Sequence, residues 1–376
     1  MMKVLLIATS LSMGGAEKVV ADLADALVSS GCEVLLMYMK EPLQVRPREP
    51  KVGVVCLGMH SAMDFPSAYL RFRRMVREFK PDIVHSHMFH ATMLARLTRL
   101  SMSVPCMIST MHTAYDGGRL RAVAYRLTDR LTDISTNVSC EAVDTLVASG
   151  AVRRDRMIAI CNGIAIDEFQ ASPEARASLR DKFAIDPDCK LFLAVGRLGW
   201  SKDYPNMFHA LARLRDDVRF KLLIAGDGHL RPDLEKLVGK LGLSPYVKFL
   251  GIRSDIAALM SAADVFVLSS SGEGFALVVA EAMACECVVV ATDSGGVREV
   301  LGDTGFLVPS RNPAALAAAL RTASSLCHED AAAMGRAARC RVVDMYSFDR
   351  AIEKWRGLYG SLLATRHGIS EHAASR

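Results

Sequence analysis

The stretch ADVFVLSSSGEGFALVVAEAMA, residues 263–284, passes from a short apolar run to a glycine-flanked acid and then to a second, longer apolar run. Val265, Phe266, Val267 and Leu268 have the composition of a buried strand, and Gly272-Glu273-Gly274 that of a loop. The residues that follow are rich in Ala and read as a helix opening directly from that loop. A helix beginning at the carboxyl end of a buried strand aims its first N–H groups at whatever lies there, and such an end favours phosphate. Glu273 then sits on the loop and Glu281 nearly two turns into the helix, so the two carboxylates address different parts of one ligand.

The same alternation fills the chain. KVLLIA, VLLMY, VGVVCL, DIVHSH and CMIST are strand-like runs in the first half, separated by amphipathic segments such as AEKVVADLADALVSSG. LFLAVG, KLLIAG, VKFLG, VFVLSS and CVVVAT repeat the pattern in the second half. Strand–helix–strand order of this kind implies α/β architecture, parallel sheets covered by helices on both faces. The expected division is a first domain over 1–185, a second over 186–345, and a final helix and tail over 346–376. That helix starts at a capping serine, Ser347, and repeats Ile352, Trp355, Tyr359 and Leu362 on one face, a stripe suited to packing back on the first domain. Open parallel sheets bind ligands beyond the carboxyl ends of their strands, so two such domains facing one another share a cleft.

The 376 residues provide material for two cores, and the formal charge of +5 is too mild for a nucleic-acid binder. The densest basic tract is RFRRMVREFK, residues 71–80, which reads as a solvated helix face ahead of a membrane-surface patch. The ten cysteines are scattered without metal-finger spacing and read as free thiols of a reducing, cytoplasmic compartment. The opening MMKVLLIATSLSMGGA imitates a signal peptide but runs into glycines and an amphipathic helix, as a first buried strand does. No run approaches the roughly 20 apolar residues of a membrane span.

A second cluster of chemically capable residues follows the strand LFLAVG. Arg197 and Lys202 lie in the next loop, and a planar guanidinium beside a mobile ammonium suits a diphosphate without help from a metal. Gly14 and Gly15 open the first helix, where small residues let backbone approach a ligand. Gly226 and Gly228 lack the third glycine of a dinucleotide fingerprint, which argues against a nicotinamide enzyme, and Gly295 and Gly296 read as a turn. His85 and His87 read as polar packing at a strand end, and Asp186-Pro187-Asp188 as a turn in place of a metal site.

Taken together, GGAEKVV, PDIVHSH, STMH, CNGI with DEF, VGRLGWSKD, AGDGHLRPDLE, VKFLGIRSDI, the 263–284 stretch, ATDSGGVREV and GDTGFLVP resemble family 4 of the retaining glycosyltransferases, of GT-B architecture. The resemblance runs over almost the whole chain and is nearest to bacterial enzymes of O-antigen and surface-polysaccharide synthesis. It implies that the first domain binds acceptor and the second a nucleotide diphosphate sugar, with no metal and no cofactor. Arg197 and Lys202 are implied to hold the diphosphate, Glu281 the ribose, Glu273 the transferred sugar, and Gly274, Phe275, Ala276 and Leu277 sugar and phosphate through backbone. Ile252 and Arg253 are implied at the base, Gly14 and Gly15 against the phosphates, and His112 near the reacting sugar. The family often has glycine at two positions where this chain has Asp203 and Ala276, and Ala276 narrows the sugar pocket.

The expected reaction moves a hexose or N-acetylhexosamine, most readily from a UDP-sugar, to a glycan or polyprenyl-diphosphate-linked acceptor at the inner face of the cell membrane. Acceptor choice is expected from residues 87–100 and 111–127. The alternatives are a GDP-mannose-dependent mannosyltransferase, a sugar-nucleotide epimerase, hydrolysis by two carboxylates, and a non-catalytic nucleotide-sugar-binding protein.

Overall fold

The computed structural model describes residues 1–113 and 118–374, with side chains through residue 365. Ala114 to Gly117, within the acceptor segment 111–127, lie outside the described residues. The chain divides into two compact units, Met1–Gly163 with Asp349–Arg376, and Ile164–Phe348.

The first unit runs β1 (Lys3–Leu11), α1 (Gly15–Ser29), β2 (Glu33–Leu43), β3 (Gly53–Cys56), α2 (Phe65–Phe79), β4 (Ile83–His87), α3 (Phe89–Thr98), β5 (Cys106–Met111), α4 (Gly118–Thr128), β6 (Ile134–Asn137), α5 (Cys140–Ala148) and β7 (Met157–Ala159). Its sheet is parallel throughout, in the order β3-β2-β1-β4-β5-β6-β7. Every side chain from Val4 to Ala8 is buried because this central strand is covered on both sides. Val4, Leu6 and Ala8 join one apolar cluster and Leu5 and Ile7 the other, the period of two that a pleated strand imposes.

The second unit runs α6 (Pro173–Lys182), β8 (Lys190–Val195), α7 (Tyr204–Leu214), β9 (Phe220–Ala225), α8 (Arg231–Lys240), β10 (Val247–Gly251), α9 (Ile256–Ala262), β11 (Val265–Leu268), α10 (Leu277–Ala284), β12 (Val288–Asp293), α11 (Val297–Leu301), β13 (Phe306–Pro309), α12 (Pro313–Ser325) and α13 (His328–Tyr346). The sheet order is β10-β9-β8-β11-β12-β13, again parallel. The order reverses between β8 and β11, so the helices that follow these two strands pack on opposite faces of the sheet and a crevice lies at the strands' carboxyl ends. The last helix, α14 (Phe348–Ala374), belongs to the first unit, where Trp355 and Tyr359 are buried in the same cluster as Val4, Leu6 and Ala8.

The division between units falls after Gly163, ahead of the boundary near 185 expected from the polar linker. The intervening α6 is tied to the second unit: Arg180 donates to Asp264 at 3.0 Å, and Arg176 donates to the carbonyl of Ala262 at 2.9 Å. Three strands escaped the sequence reading. β6 is polar, and its buried Ser135 and Thr136 are satisfied by Arg96 at 2.8 Å and by Thr110 at 2.6 Å. β7 and β13 span only three and four residues.

Candidate active site

At the switch point of the second sheet, the loops after β8 and β11 are laced together. Lys202 Nζ donates to Glu273 Oε1 at 2.6 Å, and the Ser270 hydroxyl donates to the same oxygen at 2.6 Å. Ser269 Oγ donates to the carbonyl of Lys202 at 2.8 Å, and the Ser271 amide to the carbonyl of Ser201 at 2.8 Å. The side chains of Lys202 and Glu273 are 18% and 13% exposed, so the pair is held in a crevice yet reachable. An ammonium has three N–H donors and spends one on Glu273, which leaves two for an anion. Arg197, on the same loop, is exposed.

Backbone contacts at glycines set these loops. Gly295, at φ +59, lies so close to Glu273 that a Cβ there would come within 1.9 Å of the Glu273 carbonyl oxygen. A Cβ at Gly226 would meet the Gly196 oxygen at 2.0 Å, and one at Gly228 the Leu198 oxygen at 2.4 Å. The G-x-G at 226–228 thus packs strand ends together, in keeping with its failure as a dinucleotide signature. Gly295, expected as a plain turn, proves to be a close approach that fixes the Glu273 loop.

Phe275 is buried and meets Tyr346 edge-on at 5.3 Å, anchoring the loop before α10. Ala276 is the N-cap residue of α10 at φ 57, and no side chain caps that helix. Val279 already donates its amide to the Ala276 carbonyl at 2.9 Å, so the amides of Leu277 and Val278 are the ones that open the helix toward a ligand, with Gly274 just before them. By contrast α7 is capped by the Asp203 carboxylate and α12 by Asn312. Both positions at which the resemblance leads one to expect glycine, Asp203 at φ 43 and Ala276 at φ 57, adopt the left-handed backbone that glycine enters without strain. Glu281 is buried one turn further on; burial first and the Glu281 charge second push the Cys285 thiol up to about 12, leaving that thiol inert. Ile252 is 67% exposed beyond β10, where Arg253 donates to Asp255 at 2.8 Å.

The remaining candidates lie in the first unit. Gly14 is the extended N-cap of α1 and Gly15 its first residue. Beside them the buried Glu17 accepts from Ser10 Oγ at 2.9 Å and fastens the β1–α1 turn, a role its place in GGAEKVV did not disclose. His112 is half-buried, with Nε2 3.2 Å from Nδ1 of the fully buried His87. Burial lowers His112 to about 4 and holds His87 well below the usual imidazole range, so both are neutral near pH 7. His85 is lowered to about 3, by burial first and His112 second, and bridges Tyr359 at 2.7 Å and Thr110 at 2.6 Å. His85 is thus packing, as its position suggested, whereas His87 contacts His112. Among the described residues no group of His, Cys, Asp and Glu is arranged to hold a metal ion. Asp186 accepts the Cys189 amide in a turn.

Residues 13–168 match the family described as Glycosyltransferase Family 4, and residues 175–341 match Glycosyl transferases group 1. The chain is 28% identical over 264 residues to the putative glycosyltransferase EpsD of Bacillus subtilis, covering 67% of this chain and 69% of that protein. It is 26% identical over 330 residues to the N-acetylgalactosamine-N,N'-diacetylbacillosaminyl-diphospho-undecaprenol 4-alpha-N-acetylgalactosaminyltransferase of Campylobacter jejuni, covering 83% and 87%. In fold it resembles the Anabaena protein HepE, solved in complex with UDP and glucose, at a TM-score of 0.84 and 20% identity over 96% of this chain and 100% of that one. Two tandem family matches on two Rossmann-like parallel-sheet units define the class: this chain is a glycosyltransferase of GT-B fold and family 4 type.

Proposed function

We propose that the chain is a retaining glycosyltransferase that moves a hexose or N-acetylhexosamine from a UDP-sugar to a glycan or polyprenyl-diphosphate-linked acceptor in bacterial surface-polysaccharide synthesis. The observation that carries this reading is the Lys202–Glu273 pair set beside an uncapped helix N-terminus. The support for donor and acceptor comes from the relatives: one is named for transfer onto a diphospho-undecaprenol-linked sugar, and a structural neighbour holds UDP and glucose.

In this reading Arg197 and Lys202 bind the diphosphate together with the first amides of α10. Glu281 holds the ribose hydroxyls, Ile252 and Arg253 border the base, and Gly14 and Gly15 admit the phosphates to the first unit. Glu273, its carboxylate oriented by Lys202 and Ser270, accepts from hydroxyls of the transferred sugar, and neutral His112 donates or accepts a hydrogen bond near the reacting carbon. As the glycosidic bond breaks, negative charge gathers on the diphosphate, where fixed cations and backbone dipoles stabilise it without a metal. The acceptor hydroxyl attacks from the face the leaving group vacates, which keeps the anomeric configuration.

Peripheral membrane contact belongs to the same proposal, through α4 in place of the 71–80 tract. Leu120, Val123 and Leu127 are 86%, 52% and 77% exposed beside exposed Arg119 and Arg126. The tract on α2 instead turns Phe72 and Val76 inward and donates from Arg71 to the Leu57 carbonyl at 3.0 Å. No described helix is long and apolar enough to cross a membrane.

The test is a panel of UDP- and GDP-sugars with chelator present and a polyprenyl-diphosphate sugar as acceptor, read by mass spectrometry. Transfer from a UDP-sugar without divalent ions is expected, and Lys202→Ala should lower kcat by about 10²–10³ with little change in stability. Activity that disappears with chelator, or a variant with undiminished turnover, would remove the diphosphate assignment.

A further inference from the structure

Gly272 to Phe275 lead from the switch point to α10, and among the described residues none of their amides donates to a backbone carbonyl. The loop that carries Glu273 is therefore held by side chains and by the close approach of Gly295, and its position depends on what those supports rest on. Two of them lead to one residue. Phe275, 3% exposed, sets its ring against Tyr346, which is equally buried. On the other side Gly295 lies just ahead of α11, where the Glu299 carbonyl accepts from the Tyr346 hydroxyl at 2.8 Å and from Arg341 at 2.8 Å.

Tyr346 ends α13, whose buried face of Gly335, Ala338, Val342 and Tyr346 follows the spacing of one helix side. That helix packs on α10 without slack, since a Cβ at Gly335 would come within 2.2 Å of the Glu286 oxygen. Arg339 of α13 donates to the carbonyl of Ala284, at the end of α10, and to that of Phe169 at 2.9 Å. The amide of Ile164, the first residue of the second unit, donates to the Tyr346 carbonyl at 2.8 Å, and the Phe348 amide to the Ile164 carbonyl at 2.9 Å. One helix thus grips the chain where the second unit begins and ends, together with both ends of α10.

We infer that Tyr346 is a positioning residue for the transfer reaction: through its ring on Phe275 it seats the Glu273 loop on the helix that also fixes the segment entering the second unit. The inference rests on the reading of Glu273 as the group that meets the transferred sugar. Tyr346 is buried and acts through Phe275, not by contact with substrate. Its ring matters more than its hydroxyl. The Glu299 carbonyl keeps Arg341 when the hydroxyl is removed, whereas a smaller side chain leaves Phe275 room to shift into the space vacated.

The full chain is assayed with the UDP-sugar it turns over, by steady-state release of UDP, with a urea denaturation midpoint measured alongside. Tyr346→Leu is expected to lower kcat about tenfold or more with donor KM within about threefold, and Tyr346→Phe, which keeps the ring, to stay within about threefold of wild type. In the Glu273→Ala background Tyr346→Leu should cost less than about twofold further in kcat, since a support cannot misplace a carboxylate already removed, while its effect on the urea midpoint persists. If Tyr346→Leu does not fold, Phe275→Leu breaks the same contact from the other side and decides. Wild-type kcat in a folded Tyr346→Leu, an equal loss in Tyr346→Phe, or the full loss repeated in the Glu273→Ala background would overturn the inference and leave the transferase reading intact. Undiminished turnover in Glu273→Ala, or a chain that turns over no nucleotide sugar, would remove that reading and this inference with it.

Discussion

Gly295→Ala is the sharpest probe of how the second unit positions its reactive loop. The new Cβ would stand 1.9 Å from the Glu273 carbonyl oxygen, with the carbonyl carbon at 2.9 Å, and both are backbone atoms that no rotamer change can move aside. Restoring even a 3.0 Å separation requires the two backbones to part by about 1.1 Å. Alanine at φ +59 adds about 1–2 kcal/mol of backbone strain, and the overlap about 1–3 kcal/mol more. Part of that strain is relieved by moving Glu273, which is tied to Lys202 and Ser270 at 2.6 Å each. A displacement near 1 Å at a reacting centre lowers turnover about 10²-fold. Steady-state release of the nucleotide diphosphate, alongside a urea denaturation midpoint, measures both effects. Gly272→Ala is the control, since a Cβ there meets nothing within 4 Å. A stably folded Gly295→Ala whose kcat stays within about threefold of wild type refutes the claim that this contact sets Glu273.

Ala276→Gly should raise stability by about 0.5–1 kcal/mol, because relief at φ 57 exceeds the extra freedom of glycine in the unfolded chain; a lower denaturation midpoint contradicts this. His85 and His112, lowered to about 3 and about 4, bind fewer protons folded than unfolded. Their contribution to stability is therefore complete above about pH 6.5 and declines as pH falls toward 4, at up to about 1.4 kcal/mol per pH unit for each. Denaturant midpoints between pH 7.5 and 4.5 check this, with values indifferent to pH as the contrary result. Leu120→Glu with Leu127→Glu should abolish sedimentation with anionic phosphatidylglycerol vesicles; undiminished sedimentation removes α4 from the membrane reading.

The alternation of apolar runs made the two parallel sheets legible, because most of their strands are buried on both faces and are rich in Val, Ile, Leu and Ala. β6 hid because its neighbours satisfy hydroxyls: Ser135 and Thr136 are buried against Arg96 and Thr110, contacts that join residues distant in sequence. The Glu273 loop could be placed from its glycines and the strand before it, and Lys202 from its loop. Their junction could not be read, since it depends on Ser270 and on Gly295 after a different strand. The same limit hid the contact of His87, read as strand-end packing, with His112, which the pairing of β4 and β5 brings close, whereas Glu17 was missed although its partner Ser10 lies only across the β1–α1 turn.

The return of α14 to the first unit has a consequence for biosynthesis. Trp355 and Tyr359 complete a hydrophobic cluster that otherwise draws on residues 4–160, and His85 waits for the Tyr359 hydroxyl. The second unit is one uninterrupted segment and can mature as soon as it clears the ribosome, whereas the first must travel through translation with one flank of its sheet uncovered. A premature stop shortly before residue 349 would thus leave the later-made half intact and strand the earlier-made half as a target for chaperones and proteases.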